Sequence, residues 1–215
     1  PGGFWAQFLV VMIVIFLLGF FVINASLFAI FGTTSRVNNR FTTEFKSLNG
    51  MEFMQYASYT DTKAPLWNPE MNGLNLNHDL EGIMWIRDNI PGSPVIAEAT
   101  TEPHRYMWGN RISIYTGNPT VIGWGWHQTQ QRTSGESIEE INTRIQDVKI
   151  FFSTENKKLA QDIAEKYNIE YIYVGELEKI YYPKEGLDKF DLMIQQGFKK
   201  IYYKNGFSVY KIELS

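Results

Sequence analysis

Apolar and polar positions divide this chain into two unlike parts. From Phe4 to Phe31 it reads FWAQFLVVMIVIFLLGFFVINASLFAIF, 28 residues with only Gln7, Asn24 and Ser26 polar. Residues 1–35 contain no Asp, Glu, Lys or Arg. A helix over that run spans ~42 Å at ~1.5 Å per residue, more than the ~30 Å hydrocarbon core of a bilayer, so it can cross with some tilt. A core helix of this length without one charge is improbable on composition. A signal peptide would carry a basic start and a shorter apolar stretch. The pattern therefore predicts a transmembrane helix over 1–35. Asn24-Ala25-Ser26 spells a glycosylation sequon, which is unusable inside a bilayer.

After the helix the pattern turns polar. Residues 36–78 read as a linker followed by an irregular approach with Pro65, Pro69 and Gly73. From Asp79 the pattern becomes periodic. Leu80, Ile83, Met84 and Ile90 predict a helix that stops at Pro91-Gly92. Val95-Ile96-Ala97 predicts a short buried strand. Arg111–Tyr115 and Thr120–Trp124 predict two more strands, joined through Gly117-Asn118-Pro119. Ser137-Ile138-Glu139-Glu140 has capping-box spacing, and Ile138, Ile141, Ile145 and Val148 give that helix an apolar stripe. Thr154 opens a further helix with Leu159, Ile163 and Ala164 inward. Tyr171–Val174 is an unbroken apolar strand of the parallel-sheet type. Leu187–Gln196 is a helix ended by Gly197, and two strands flank Lys204-Asn205-Gly206, a hairpin signal. Alternating strands and helices predict an α/β fold over 79–215: a three-layer sandwich with a C-terminal antiparallel hairpin.

Charge and composition narrow the function classes. A formal net charge of −3, with no basic face, argues against nucleic acid as a partner. The absence of cysteine excludes disulfides, thiolate nucleophiles and Cys-based zinc sites. Arg36, Arg40 and Lys46 follow the helix and no charge precedes it. Taken alone, that bias puts the soluble part in the cytoplasm, but large domains translocate regardless, so orientation stays open on these grounds.

Candidate chemistry concentrates between Ile96 and Arg132. Glu98, His104, Arg105, Arg111, His127 and Arg132 lie there with Tyr106, Trp108, Tyr115, Trp124 and Trp126. Glu98 follows a buried strand, at the end where open α/β sheets bind ligands. It reads either as a carboxylate for sugar hydroxyls, a metal or a base, or as a loop acid or a partner for Arg111. Trp124-Gly125-Trp126-His127 reads as a strand end whose indoles suit a sugar or a lipid headgroup, or as a hydrophobic plug. Gln128, Gln130, Gln131 and Arg132 follow at once, which favours a site. His127 is a general base or a hydrogen-bonding structural residue. His78, His104 and His127 lack metal-ligand spacing, and neither a phosphate loop nor a Gly-x-Ser-x-Gly elbow occurs. No cofactor is expected from these residues.

Six stretches carry a family resemblance. They are SLNGMEFM (47–54), GIMWIRDNIPGSPVIAEA (82–99), WGNRISIYTGNPTVIGWGWHQTQQR (108–132), Asp147-Val148, YIYVGELEKIYY (171–182) and GLDKF (186–190). Together they resemble the C-terminal region of the YYY family of large polytopic membrane proteins of bacteria and archaea. That family in turn resembles the GT-C class of integral membrane glycosyltransferases, which use polyprenyl-phosphate sugar donors. The resemblance implies that the helix is the last transmembrane helix and that the α/β domain is extracytoplasmic, at the cell membrane. It implies a catalytic carboxylate, and any divalent metal, on a membrane part outside this chain. The non-Met start at Pro1-Gly2-Gly3 reads as that of a piece of a longer protein or of a processed product. Asn118 stands where family members tend to have Leu. The resemblance further implies a ligand-binding role. Glu98 and Arg111 would supply polar or ionic contacts, Trp124 and Trp126 would stack on a sugar or border headgroups, His127 and Arg132 would contact phosphate or hydroxyls, and Tyr115 belongs to the same ligand-binding set. Expected partners are the lipid bilayer, a polyprenyl-phosphate sugar or glycan, and other membrane subunits. The rival readings are a non-catalytic single-helix subunit of a larger complex and a stand-alone sugar-binding module.

Overall fold

The computed structural model describes residues 2–38, 41–42, 49–60, 73–101, 106–132 and 134–213. His104, Arg105, Pro65 and Pro69, singled out above, lie outside them. The chain divides into two compact units, Pro1–Thr42 and Thr43–Ser215.

The first unit holds helix α1 (Gly2–Asn38) and the two-residue strand β1 (Phe41–Thr42). Gly3–Ser35 is long and apolar enough to cross a membrane, and its side chains are exposed throughout. Within the apolar run Asn24 bonds to its own helix: Asn24 Nδ2 donates to Phe20 O at 2.8 Å. In lipid that bond satisfies one of the amide's two donors where no water could reach it.

The second unit is an α/β fold. Strands β4 (Val95–Ala97), β5 (Ile169–Val174), β6 (Phe198–Lys204) and β7 (Phe207–Ile212) form one sheet in the order β4-β5-β7-β6. β4 and β5 are parallel, and the other two pairings are antiparallel. β6 and β7 are joined by Asn205 (φ 46°) and Gly206 (φ 79°), both left-handed. That geometry twists the chain in the sense a two-residue hairpin needs.

Helix α2 (Leu76–Asn89) covers one face of the sheet. Trp85 stacks on Tyr202 of β6 at 4.4 Å between ring centroids. Gly82 admits the Tyr173 ring so closely that an added Cβ would lie 2.6 Å from its Oη. The other face carries α5 (Gly135–Ser153) and α8 (Lys184–Leu192). Phe190 lies 6.3 Å from Phe198 and 5.8 Å from Tyr210, with Phe151 at 5.2 Å behind it. Helix, sheet and helix make the expected three layers. Lys189 is buried in the last of them, its Nζ donating to Phe151 O and Gly186 O at 2.5 Å each. A small second sheet pairs β2 (Ser58–Tyr59) with β3 (Leu74–Asn75). Met54, Tyr59, Leu74 and Leu76 are all buried in this unit, so the approach segment contributes to the core.

Helix starts fall at better caps than the sequence suggested. Asn75 caps α2, Ser134 caps α5, and Asn156 rather than Thr154 caps α6 (Lys157–Lys166). Thr154 instead closes α5, and its Oγ1 accepts from Asn156 N at 3.1 Å. Glu176–Tyr181 forms a short helix, α7, directly after β5. The helix expected to end at Gly197 ends at Leu192 and passes through a 3-10 turn, Ile194–Gln196, to a left-handed Gly197.

The two strands expected at Arg111–Tyr115 and Thr120–Trp124 are absent. Arg111–Thr116 is a helix, α3, bounded by left-handed Asn110 (φ 65°) and Gly117 (φ 81°). Residues 117–124 are irregular, and Gly125–Gln131 is a second helix, α4. The alternation of Ile112, Ile114 and Thr116 mimics a strand over too few residues to decide. Beside β4 the chain offers Pro119, whose carbonyl accepts from Ile96 N at 2.9 Å. Proline has no amide to return, so no ladder extends from it.

Candidate functional site

The Ile96–Arg132 segment builds two layers, one sealed and one exposed. The sealed layer centres on Arg111, which is 0% exposed. Its Nε donates to Asp79 Oδ2 at 2.6 Å. Its two Nη atoms donate to the two carboxylate oxygens of Glu178 at 3.1 and 2.9 Å, a fork-on-fork contact. The guanidinium carbon also lies 5.0 Å from the Tyr173 ring centroid.

Each acid has further partners. Asp79 accepts from Trp108 Nε1 at 2.6 Å and from Tyr173 Oη at 3.0 Å. Glu178 accepts from Ala99 N and Gly175 N, both at 2.8 Å. Glu98, 1% exposed, accepts from Ile112 N at 2.8 Å and Ser113 N at 2.7 Å. It therefore caps α3, whose first amides have no partner inside the helix, and it reaches the Arg111 Nη1 only at 3.9 Å.

Three buried carboxylates thus share one guanidinium, and the burden falls unevenly. Burial works against the Arg111 charge, but Asp79 and Glu178 hold it protonated well above its ordinary range. Glu98 is the acid left over. Burial pushes its carboxyl up to about 8, against the pull of Arg111 and of the Ser113 and Ile112 amides. Burial and the neighbouring Asp79 raise the Tyr173 phenol far above its usual value.

The exposed layer sits on α4 and the segment before it. Trp124 precedes the helix, and its Nε1 donates to Met107 O at 3.2 Å. Tyr106 packs edge-on to Trp124 at 5.1 Å. Its hydroxyl donates to Gln130 Oε1 at 3.1 Å and lies 2.7 Å from His127 Nδ1. The Tyr106 hydroxyl thus ties His127 to Gln130, with the direction of the His127 contact set by its tautomer. Trp126 is 52% exposed. Arg132 closes the helix, bonded to Gln128 Oε1. Met107 and Trp108 connect the layers, and Trp108 lies 6.0 Å from the half-buried Tyr115.

The structure so separates the seven expected ligand residues. Glu98 and Arg111 face inward and spend their polar atoms on the chain itself. Tyr115 and Trp124 are half-buried. His127 is half-buried too, on α4, a helix where a strand end was expected, and Trp126 on that helix and Arg132 at its end are exposed. Asp79, Glu178 and Tyr173 were missed, and no local signal marks them. Tyr106 and Gln130 fell within the segment but were given no role. His78 pairs with Glu176 at 2.6 Å, and among the described residues no group of three or more His, Asp or Glu could hold a metal.

No protein family model matches this chain, and no curated protein matches it. Among solved structures it is similar to the C-terminal globular domain of an oligosaccharyltransferase from Archaeoglobus fulgidus. The identity is 12% and the TM-score 0.37, over 62% of this chain and 95% of that one.

Proposed function

We propose that this chain is the membrane-anchored C-terminal part of a GT-C-like glycosyltransferase of the YYY type. Its α/β domain lies outside the cytoplasm and binds a glycan acceptor or a polyprenyl-phosphate headgroup. The observation that carries the reading is the surface of α4. An exposed indole, Trp126, stands there next to a fixed array of hydrogen-bonding groups on Tyr106, His127 and Gln130. Sugars are recognised by that combination of an apolar face and oriented polar groups. The resemblance across residues 47–190 and the apolar helix point the same way.

In this reading Trp126, His127 and Arg132 touch the ligand, and Trp124 and Tyr115 back them. Glu98 and Arg111 hold the floor rigid. The catalytic carboxylate belongs to a membrane part beyond this chain. Binding of a polyprenyl-phosphate sugar to the chain in detergent micelles tests it. Trp126→Ala and His127→Ala should each weaken binding at least tenfold. Equal affinity in both variants and the parent would remove the site from α4.

A further inference from the structure

The opposite side of α4 faces a trough along the first half of α5. Two hollows of about 460 and 280 Å³ meet there, and Glu140 and Arg144 line both. Together they reach the size range of small-molecule sites, about 300–1,000 Å³. We infer that this trough is a binding site for a neutral polyhydroxylated ligand, one or two sugar units, that shares only Arg132 with the ligand-contacting residues of the α4 surface.

The lining supplies the chemical class. Its charged side chains are three carboxylates, Glu136, Glu139 and Glu140, and three cations, Arg132, Arg144 and Lys166. Interspersed charges of equal number give no net field to concentrate an anion or a cation. What they do give is donors and acceptors side by side, the pattern that vicinal hydroxyls need because each hydroxyl both donates and accepts.

The dividing pair is built in advance. Arg144 Nε and Nη2 donate to the same oxygen of Glu140, at 3.0 and 2.8 Å. Its Nη1 donates across the trough to Val121 O at 3.1 Å. Its guanidinium rests 5.1 Å from the Tyr167 ring centroid, and that ring is fixed in turn by Tyr167 Oη donating to Asp147 at 2.6 Å. Glu140 Oε2 takes no hydrogen bond among the described residues, so an acceptor and the outer guanidinium hydrogens stand together at the crest. Ser137 lines the smaller hollow and accepts from Ser134 Oγ at 2.7 Å, which leaves its own proton for a ligand. An anchored donor-acceptor pair loses little conformational freedom on binding.

This inference stands on the trough's own lining and does not need the α4 surface to bind sugar. The test uses the full chain in a sugar-free detergent, with chitobiose and mannobiose as probes in saturation-transfer NMR. Binding of either disaccharide should weaken at least tenfold in Glu140→Gln and in Arg144→Met, and stay unchanged in Lys158→Ala, an exposed position that lines neither hollow. Both α5 side chains are at least a third exposed (63% and 36%), so the variants should keep the parent's unfolding midpoint. No disaccharide binding, or binding indifferent to both α5 variants, overturns the inference. Loss in Trp126→Ala alone also overturns it but leaves the α4 site standing. Displacement of the disaccharide by inorganic phosphate would make the trough an anion site, and the inference would fail.

Discussion

At the scale of single residues, the decisive fact is a guanidinium with no access to water. Removing one member of a buried ion pair costs roughly 3–5 kcal/mol, because the partner charge stays behind uncompensated. Arg111→Met would leave two such partners, Asp79 and Glu178, so its loss should reach at least the upper part of that range. Urea unfolding of the chain in micelles, followed by tryptophan fluorescence, measures it, and a loss under 1 kcal/mol would contradict the hub. Glu98 makes a pH prediction. Its carboxyl rises from 4.5 to about 8 through burial, so the folded chain binds that proton more tightly than the unfolded chain. The stability this gives is complete below about 4.5 and is lost as pH climbs through about 8. Lys189 has the opposite sign: burial lowers it from 10.5 to about 7, so its contribution is complete above 10.5 and is lost as pH falls through 7. Glu98→Gln should therefore flatten the decline between pH 5 and 7, where Lys189 contributes little change. An unaltered slope would count against a protonated Glu98. None of this was legible beyond the alternative reading of Glu98 as a partner for Arg111. The partners lie 32 and 67 residues from Arg111, and nothing in the sequence near Asp79 or Glu178 distinguishes a buried acid from a solvated one.

At the scale of elements, legibility followed the range of the forces. The hairpin, the Val95–Ala97 strand and the helix before Pro91 were readable because turn residues, caps and breakers act locally. The helix at Arg111–Thr116 was not, because what starts it is a carboxylate from another segment, Glu98, capping Ile112 and Ser113. Trp124–His127 consequently forms a helix start instead of a strand end, which turns His127 and Gln130 onto one face beside Tyr106. Gly206 at φ 79° is the position where the hairpin tolerates substitution least. A residue with a Cβ in that region costs roughly 1–2 kcal/mol. Gly206→Ala should lower stability by about that amount while leaving the fluorescence of the folded state unchanged, and a neutral effect would mean that the turn can adopt another geometry.

At the scale of the whole molecule, an apolar helix and an α/β unit follow one another in the chain, and the side of the membrane is open to direct measurement. The chain has no cysteine, so one introduced thiol is a clean reporter. Lys158 has a side chain 72% exposed. Lys158→Cys should react with a membrane-impermeant maleimide in intact cells, whereas labelling only after lysis would place the α/β unit in the cytoplasm. The Arg111 hub also sets a clock on biosynthesis. Its second acid partner is made 67 residues after it. At roughly 5–20 residues per second those residues take about 3–13 s. Through that interval the guanidinium has half its counter-charge, and the layers around it cannot close. The unit must therefore pack late, in one step, after its seventh helix has left the ribosome. A chain stalled before residue 178 would be an unclosed substrate for proteases.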